Sequence, residues 1–350
     1  MPPLAKNRSS SVPASPHSPI CDDAVPKKWT IAFGREGANG LHCLRRIRTK
    51  DINKRGFPVR LPAVEEWVSK RAKVAPNYGF FNDPLAIRGV DESTWPKELR
   101  DGLYEEGRLI EALISERERG GAYLKLGCKN QNGLATACGV FNTIYIMDVA
   151  IQMLKKAARG VAEKCGQEGV DKFVLIRGDM ADDIRPIRDQ AVDFAECGFN
   201  HFGNLGGERQ LLFLRQVNRF MKHSFLSPKR KEIFPLVLTV YKDNLKAKRM
   251  QEEFYRNMGL EITTSREEDE IGITTARSPS GNILISERFD LKKIRGIIES
   301  ANSGLPEAPI RIFQHIDLSE TMMALIVYVK KTSIDEVFEG TRVEALDALS

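Results

Sequence analysis

From residue 92 to residue 241 short apolar runs alternate with amphipathic stretches, and that alternation leaves few architectures open. AYLKLGC, NTIYIMD, KFVLIRGD, AVDFAECGF and FPLVLTVY read as buried strands. Helical spacing lies between most of them. In AIQMLKKAARGVAEKC, residues Met153, Leu154, Ala157, Ala158 and Val161 share one face, and ERQLLFLRQVNRFMK follows the fourth strand. Ahead of the first strand, Ser93 and Thr94 precede Trp95-Pro96 as a helix start. Leu103, Ile110, Leu113 and Ile114 then form an apolar face, and Gly120-Gly121 stop the helix. Strands separated by helices of this length predict a parallel sheet covered on both faces, with its ligand beyond the carboxyl ends of the strands.

After Tyr241 the pattern changes. EIGITTARSPSGNILISERF reads as two strands around a Pro-Ser-Gly-Asn turn, and DLKKIRGIIESA as a helix with Leu291, Ile294, Ile297 and Ile298 inward. IRIFQHIDL and TMMALIVYVKK read as a closing antiparallel pair. The expected fold is therefore α/β: a doubly wound, mostly parallel, Rossmann-like sheet of seven strands, with an antiparallel C-terminal strand and a small strand-turn-strand insert over about 242–288. Residues 1–27 read as a disordered segment, 28–91 as a basic extension, 92–331 as the domain and 332–350 as a tail. Within the extension, LPAVEEWVSKRAKV has helical spacing.

Composition narrows the functional classes. No apolar run reaches the roughly 18 residues of a membrane span, and the N-terminus lacks a signal-type apolar core, so the expectation is a cytoplasmic protein without membrane contact. The six cysteines are scattered without a CxxC pair and the five histidines are dispersed; this fits a reducing compartment and predicts no metal centre. The chain carries a formal charge of +6, yet residues 1–75 alone hold 15 Lys and Arg against 6 Asp and Glu. The section RRIRTKDINKRGFPVR fits either a solvated arm or a contact with nucleic acid or another acidic partner.

Four segments within 92–331 resemble the class I S-adenosylmethionine-dependent methyltransferases, of the type acting on small molecules and carrying an insert before the last two strands. YLKLGCKNQNGLA stands where that family has an acidic residue followed by Gly-x-Gly-x-Gly. Gly127 is present, Lys125 replaces the acid, and Lys129 and Gln131 replace the other two glycines; Asn130 and Asn132 tolerate the left-handed backbone such a turn needs. In IYIMDVAIQML, Asp148 ends the second strand, where an acid accepts the ribose hydroxyls of a nucleoside; capping the next helix is its other reading. In LIRGDMADD, Asp179 matches the family's adenine-binding acid. In AVDFAECGFNHFGN, Glu196 to Phe199 would line the methyl-bearing end, with Asn200 and His201 facing substrate.

The resemblance implies S-adenosyl-L-methionine as cofactor, held by Gly127, Cys128, Lys129, Asp148, Val149, Asp179, Met180, Cys197 and Phe199. It implies Asn200 at the substrate and His201 as a general base, an imidazole having a reference pKa near neutrality. The activity implied is methyl transfer to an N, O or C nucleophile of a small molecule. The departures at Lys125, Lys129 and Gln131 support a second reading, a methyltransferase fold that has lost catalysis and acts as a binding or regulatory partner. The third is a nucleic-acid methyltransferase using the basic flank.

Overall fold

The computed structural model describes residues 45–47, 64–67, 73, 76–83, 92–128, 133–182, 186–226, 231–305 and 308–331. Its strands are β1 (Arg45–Ile47), β2 (Val64–Trp67), β3 (Ala122–Leu126), β4 (Thr143–Asp148), β5 (Phe173–Gly178), β6 (Phe194–Cys197), β7 (His223–Leu226), β8 (Lys231–Glu232), β9 (Pro235–Tyr241), β10 (Glu261–Ile262), β11 (Ile273–Arg277), β12 (Ile283–Glu287), β13 (Ile310–Asp317) and β14 (Met322–Lys330). The helices are α1 (Pro76–Phe81), α2 (Lys97–Ser115), α3 (Leu134–Val140), α4 (Ile151–Val170), α5 (Gly207–Phe220), α6 (Leu245–Asn257), α7 (Arg266–Glu270) and α8 (Leu291–Asn302).

The seven expected strands lie in the spatial order β5-β4-β3-β6-β9-β14-β13. The first five run parallel, while β14 runs antiparallel to both β9 and β13. From β3 the chain winds outward through β4 and β5, then returns to place β6 and β9 on the opposite side. The winding therefore reverses between β3 and β6, which opens a crevice at their carboxyl ends.

Period-two alternation along the strands divides the interior. Leu124 and Leu126 face a core shared with Phe213, Leu214 and Val217 of α5 and Ile294 and Ile298 of α8. Tyr123, Ile144 and Phe194 face the other way, against Ile110 and Ile114 of α2 and Leu154, Ala158 and Val161 of α4. Both faces are thus buried, which is why these strands read as near-continuous apolar runs.

Three features differ from expectation. The sheet has 11 strands, because β2 pairs in parallel with β5 and carries β1 outside it, while β7 joins the end of β14 and carries β8. Residues 64–67 are consequently a strand, not part of a helix: the open edge of β5 recruits their backbone, and their helical spacing is overridden. The insert also holds three strands, β10-β11-β12, with α6 and α7 beside them. Cys138 and Cys165, scattered in sequence, form a disulfide between α3 and α4. Residues 1–27 and 332–350 lie outside the described residues. No helix among the described residues is long and apolar enough to cross a membrane.

Candidate functional site

A cavity of about 330 Å³ lies across the carboxyl ends of β3, β4, β5, β6 and β9. Its sheet side carries Gly127, Asp148, Gly178, Asp179, Phe199 and Tyr241, and its roof comes from α1, α6 and β12. Strand order orients it. Acids stand at the ends of β4 and β5, and rings at β6 and β9, three strand spacings or about 14 Å from β4 to β9.

At the acidic end, Asp148 is nearly buried and bound on both oxygens. Oδ2 accepts from the Cys128 N–H at 2.9 Å and the Cys128 thiol at 3.2 Å, while Oδ1 accepts from the Ala150 N–H at 2.8 Å. Burial raises its pKa and these hydrogen bonds oppose the rise. The Val149 backbone N–H adds a further hydrogen bond to this carboxylate, which lines the cavity. Asp179 accepts from the Ala181 N–H at 2.9 Å and pairs with Arg209 of α5 at 2.6 Å.

At the other end the chain leaves β6 through two consecutive left-handed residues, Phe199 (φ 52°) and Asn200 (φ 55°). Such conformations cost non-glycine residues about 1–2 kcal/mol each. Buried hydrogen bonds hold them: the Phe199 N–H donates to Glu106 of α2 at 3.1 Å, and the Asn200 N–H to the Thr239 carbonyl at 3.1 Å. The turn directs Phe199 against Trp95 and Phe254, with ring centroids 5.4 and 5.9 Å away, and brings His201 back over β3. A Cβ at Gly127 (φ 81°) would collide with the His201 ring, so glycine is required there on both counts.

Between the two ends, Lys125 and Glu196 form a buried ion pair across neighbouring strands. Burial draws Lys125 down to about 8, with the Glu106 carboxylate pulling the other way. Both residues share the strand face of Tyr123 and Phe194, which looks at α2 and away from the cavity.

The roof is strapped in place. Asn77 of α1 donates to the Ile285 carbonyl and accepts from the Ile285 N–H, both at 2.8 Å. Asp83 accepts from Ser278 and Asn282, each at 3.1 Å, and also from Ser280. Arg177, at the end of β5, reaches Asn82 at 2.7 Å and the Tyr78 hydroxyl at 3.2 Å.

Of the residues singled out in the sequence, Gly127, Asp148, Val149, Asp179, Met180, Phe199 and His201 line the cavity. Cys128, Cys197 and Asn200 stand behind it. The Cys128 thiol is engaged with Asp148, and burial pushes both thiols well up in pKa. The Asn200 amide donates to Ser286 at 3.0 Å and to the Glu287 carbonyl at 3.1 Å, and accepts from the Tyr241 N–H at 3.1 Å. It ties β6 and β9 to the insert, which turns it from the cavity. Lys129 and Gln131 lie outside the described residues. The roof residues were missed, since α1 falls in a stretch without periodic signal and the rings of the insert sit in ordinary amphipathic patterns.

No protein-family model matches the sequence, and a search of curated proteins finds no relative. Among solved structures, a SAM-dependent methyltransferase from Methanosarcina mazei aligns with 63% of this chain and 98% of its own, at 14% identity and a TM-score of 0.43. A methyltransferase from Streptomyces caelestis aligns over 72% and 99%, at 14% identity and 0.45. A 1,6-didemethyltoxoflavin-N1-methyltransferase from Burkholderia thailandensis, with bound S-adenosylhomocysteine, aligns over 71% and 84%, at 8% identity and 0.41. Likeness of this degree leaves the chemistry to be argued from the site itself.

Proposed function

We propose that this chain is an S-adenosyl-L-methionine-dependent methyltransferase acting on a small molecule. The observation that carries the reading is one cavity at the switch point of a doubly wound sheet, with Asp148 and Asp179 at the ends of adjacent strands and Gly127 beside them. These residues fit the cofactor: Asp148 lines the cavity where ribose hydroxyls would meet its carboxylate, and Asp179, oriented by Arg209, lines it where the adenine amine would meet it.

When bound, the cofactor would supply a sulfonium-activated methyl group to an acceptor lone pair, the electrons of the carbon–sulfur bond returning to sulfur. The chain's part is alignment and exclusion of water. Phe199 and the strapped α1 close the cavity, and the His201 imidazole takes the proton of an acceptor hydroxyl or amine. Small size of the acceptor is favoured by the roof, since Asn77 of α1 bridges to Ile285 of β12 and Asp83, just past α1, to the turn before β12.

A second reading, a cofactor-fold protein without catalysis, is favoured by one observation. The space beside Gly127 that would admit the methionine portion is taken by the His201 ring. Titration calorimetry with S-adenosylhomocysteine separates the two readings. Binding to the wild type that Asp148→Ala abolishes supports the proposal, and no binding at millimolar ligand sinks it. Methyl transfer from labelled S-adenosylmethionine to a metabolite extract, lost in His201→Ala with binding intact, then distinguishes an enzyme from a binder.

A further inference from the structure

The cavity half over β6 and β9 is built without charge. Every described wall residue contributed by α1, α6, β9 and β12 is neutral at physiological pH: Phe80 and Phe81 come from α1, Tyr241 ends β9, Phe254 and Tyr255 come from α6 and Leu284 from β12. Burial raises the hydroxyl pKa of Tyr241 and Tyr255, which keeps both uncharged. The charged wall residues Asp148, Asp179, Glu208 and Arg209 belong to the ends of β4 and β5 and to the first turn of α5.

An ionised group placed among these rings loses its hydration and gains no counter-charge from them, which disfavours a carboxylate, phosphate or ammonium at that end. A flat ring meets the opposite situation. Phe199 and Phe254 stand edge to face at 5.9 Å and Phe80 and Phe81 at 5.4 Å, so their ring edges and faces are offered to a third ring in preferred geometries. Because α1 is strapped to β12, an occupant has to fit under that bridge.

We infer that the methyl acceptor is an uncharged, planar aromatic molecule carrying a hydroxyl or ring nitrogen, seated over β6 and β9 with its nucleophile towards His201. The inference rests on the methyltransferase reading and adds the acceptor class to it.

The test uses the full chain at pH 7, saturated with S-adenosylhomocysteine, and titrates 1-naphthol and its anionic counterpart 1-naphthoate. Expected is binding of 1-naphthol about tenfold tighter or more. Phe81→Ala, at a partly exposed position of the roof, weakens it by about tenfold with S-adenosylhomocysteine affinity unchanged. Met258→Ala, at a partly exposed wall position directly after α6, gives the same result independently should the first variant misfold. Equal or tighter binding of 1-naphthoate, or 1-naphthol binding indifferent to both substitutions, overturns the acceptor class alone. Failure of S-adenosylhomocysteine to bind the folded wild type overturns the methyltransferase reading and the acceptor role together.

Discussion

Over β4 and β5 the cavity is walled by carboxylates that backbone N–H groups and one arginine hold in place. Over β6 and β9 it is walled by rings that mainly hold one another. Asp148 draws its donors from Cys128 and Ala150, each at the end of a neighbouring strand or turn. Phe199 depends instead on Trp95 and Phe254, which enter from α2's approach and from the insert. The first half is a local device of the sheet; the second is assembled from segments far apart in the chain. Directional hydrogen bonds orient a polar ligand, whereas packed rings select by shape and by intolerance of charge.

The seam between the halves is where the contrast is most exposed. Lys125→Met should lower unfolding free energy by about 3–5 kcal/mol, since it leaves buried Glu196 without its counter-charge. Lys125→Met combined with Glu196→Leu should recover most of that loss, read in urea melts. A single variant as stable as wild type would show that the pair is not buried as a charge pair.

At the polar half, Asp148→Ala should erase the stabilisation of about 2.7–4.1 kcal/mol that S-adenosylhomocysteine gives at a hundred- to thousandfold excess over Kd. Retention of the thermal shift in that variant would move the ribose site elsewhere. At the apolar half, Glu106→Ala should cost about 1–3 kcal/mol by orphaning the Phe199 N–H. Hydrogen exchange at Phe199 should accelerate, and protection equal to wild type would count against the carboxylate's role in holding the left-handed turn. The smallest effect belongs to the roof. Asn77→Ala removes two hydrogen bonds to Ile285 and should cost about 1–2 kcal/mol. It should weaken 1-naphthol and spare S-adenosylhomocysteine; weakening of both alike would mean that α1 covers the whole cavity rather than one half.

The polar half was legible from the sequence because its parts are local. Asp148 and Asp179 are read directly as the residues ending two predicted strands, and both line the cavity. The glycine-loop resemblance was legible only in part. Gly127 occupies the expected turn, but its immediate neighbour across the fold is His201, a contact between residues on two different strand ends. Asn200 illustrates the opposite outcome. Its place beside the site was readable, yet its amide is committed to Ser286, Glu287 and Tyr241, which only the docking of the insert brings within reach.

Lys125 shows where the line falls. In sequence it is a cation where the family pattern has an acid. In the fold it is matched by Glu196 on the adjacent strand, with Glu106 on the helix above supplying further negative potential. The order of the seven expected strands and of the helices between them, the doubly wound sheet and the acids at its strand ends were set by the sequence alone, because they follow from periodicity and turn chemistry within a few residues. The charge partner of Lys125, the edge strand β2 and the aromatic roof were decided only by tertiary structure. Buried charges must be neutralised and open edges and apolar faces covered by whatever the fold brings near, and local periodicity carries no record of that neighbour.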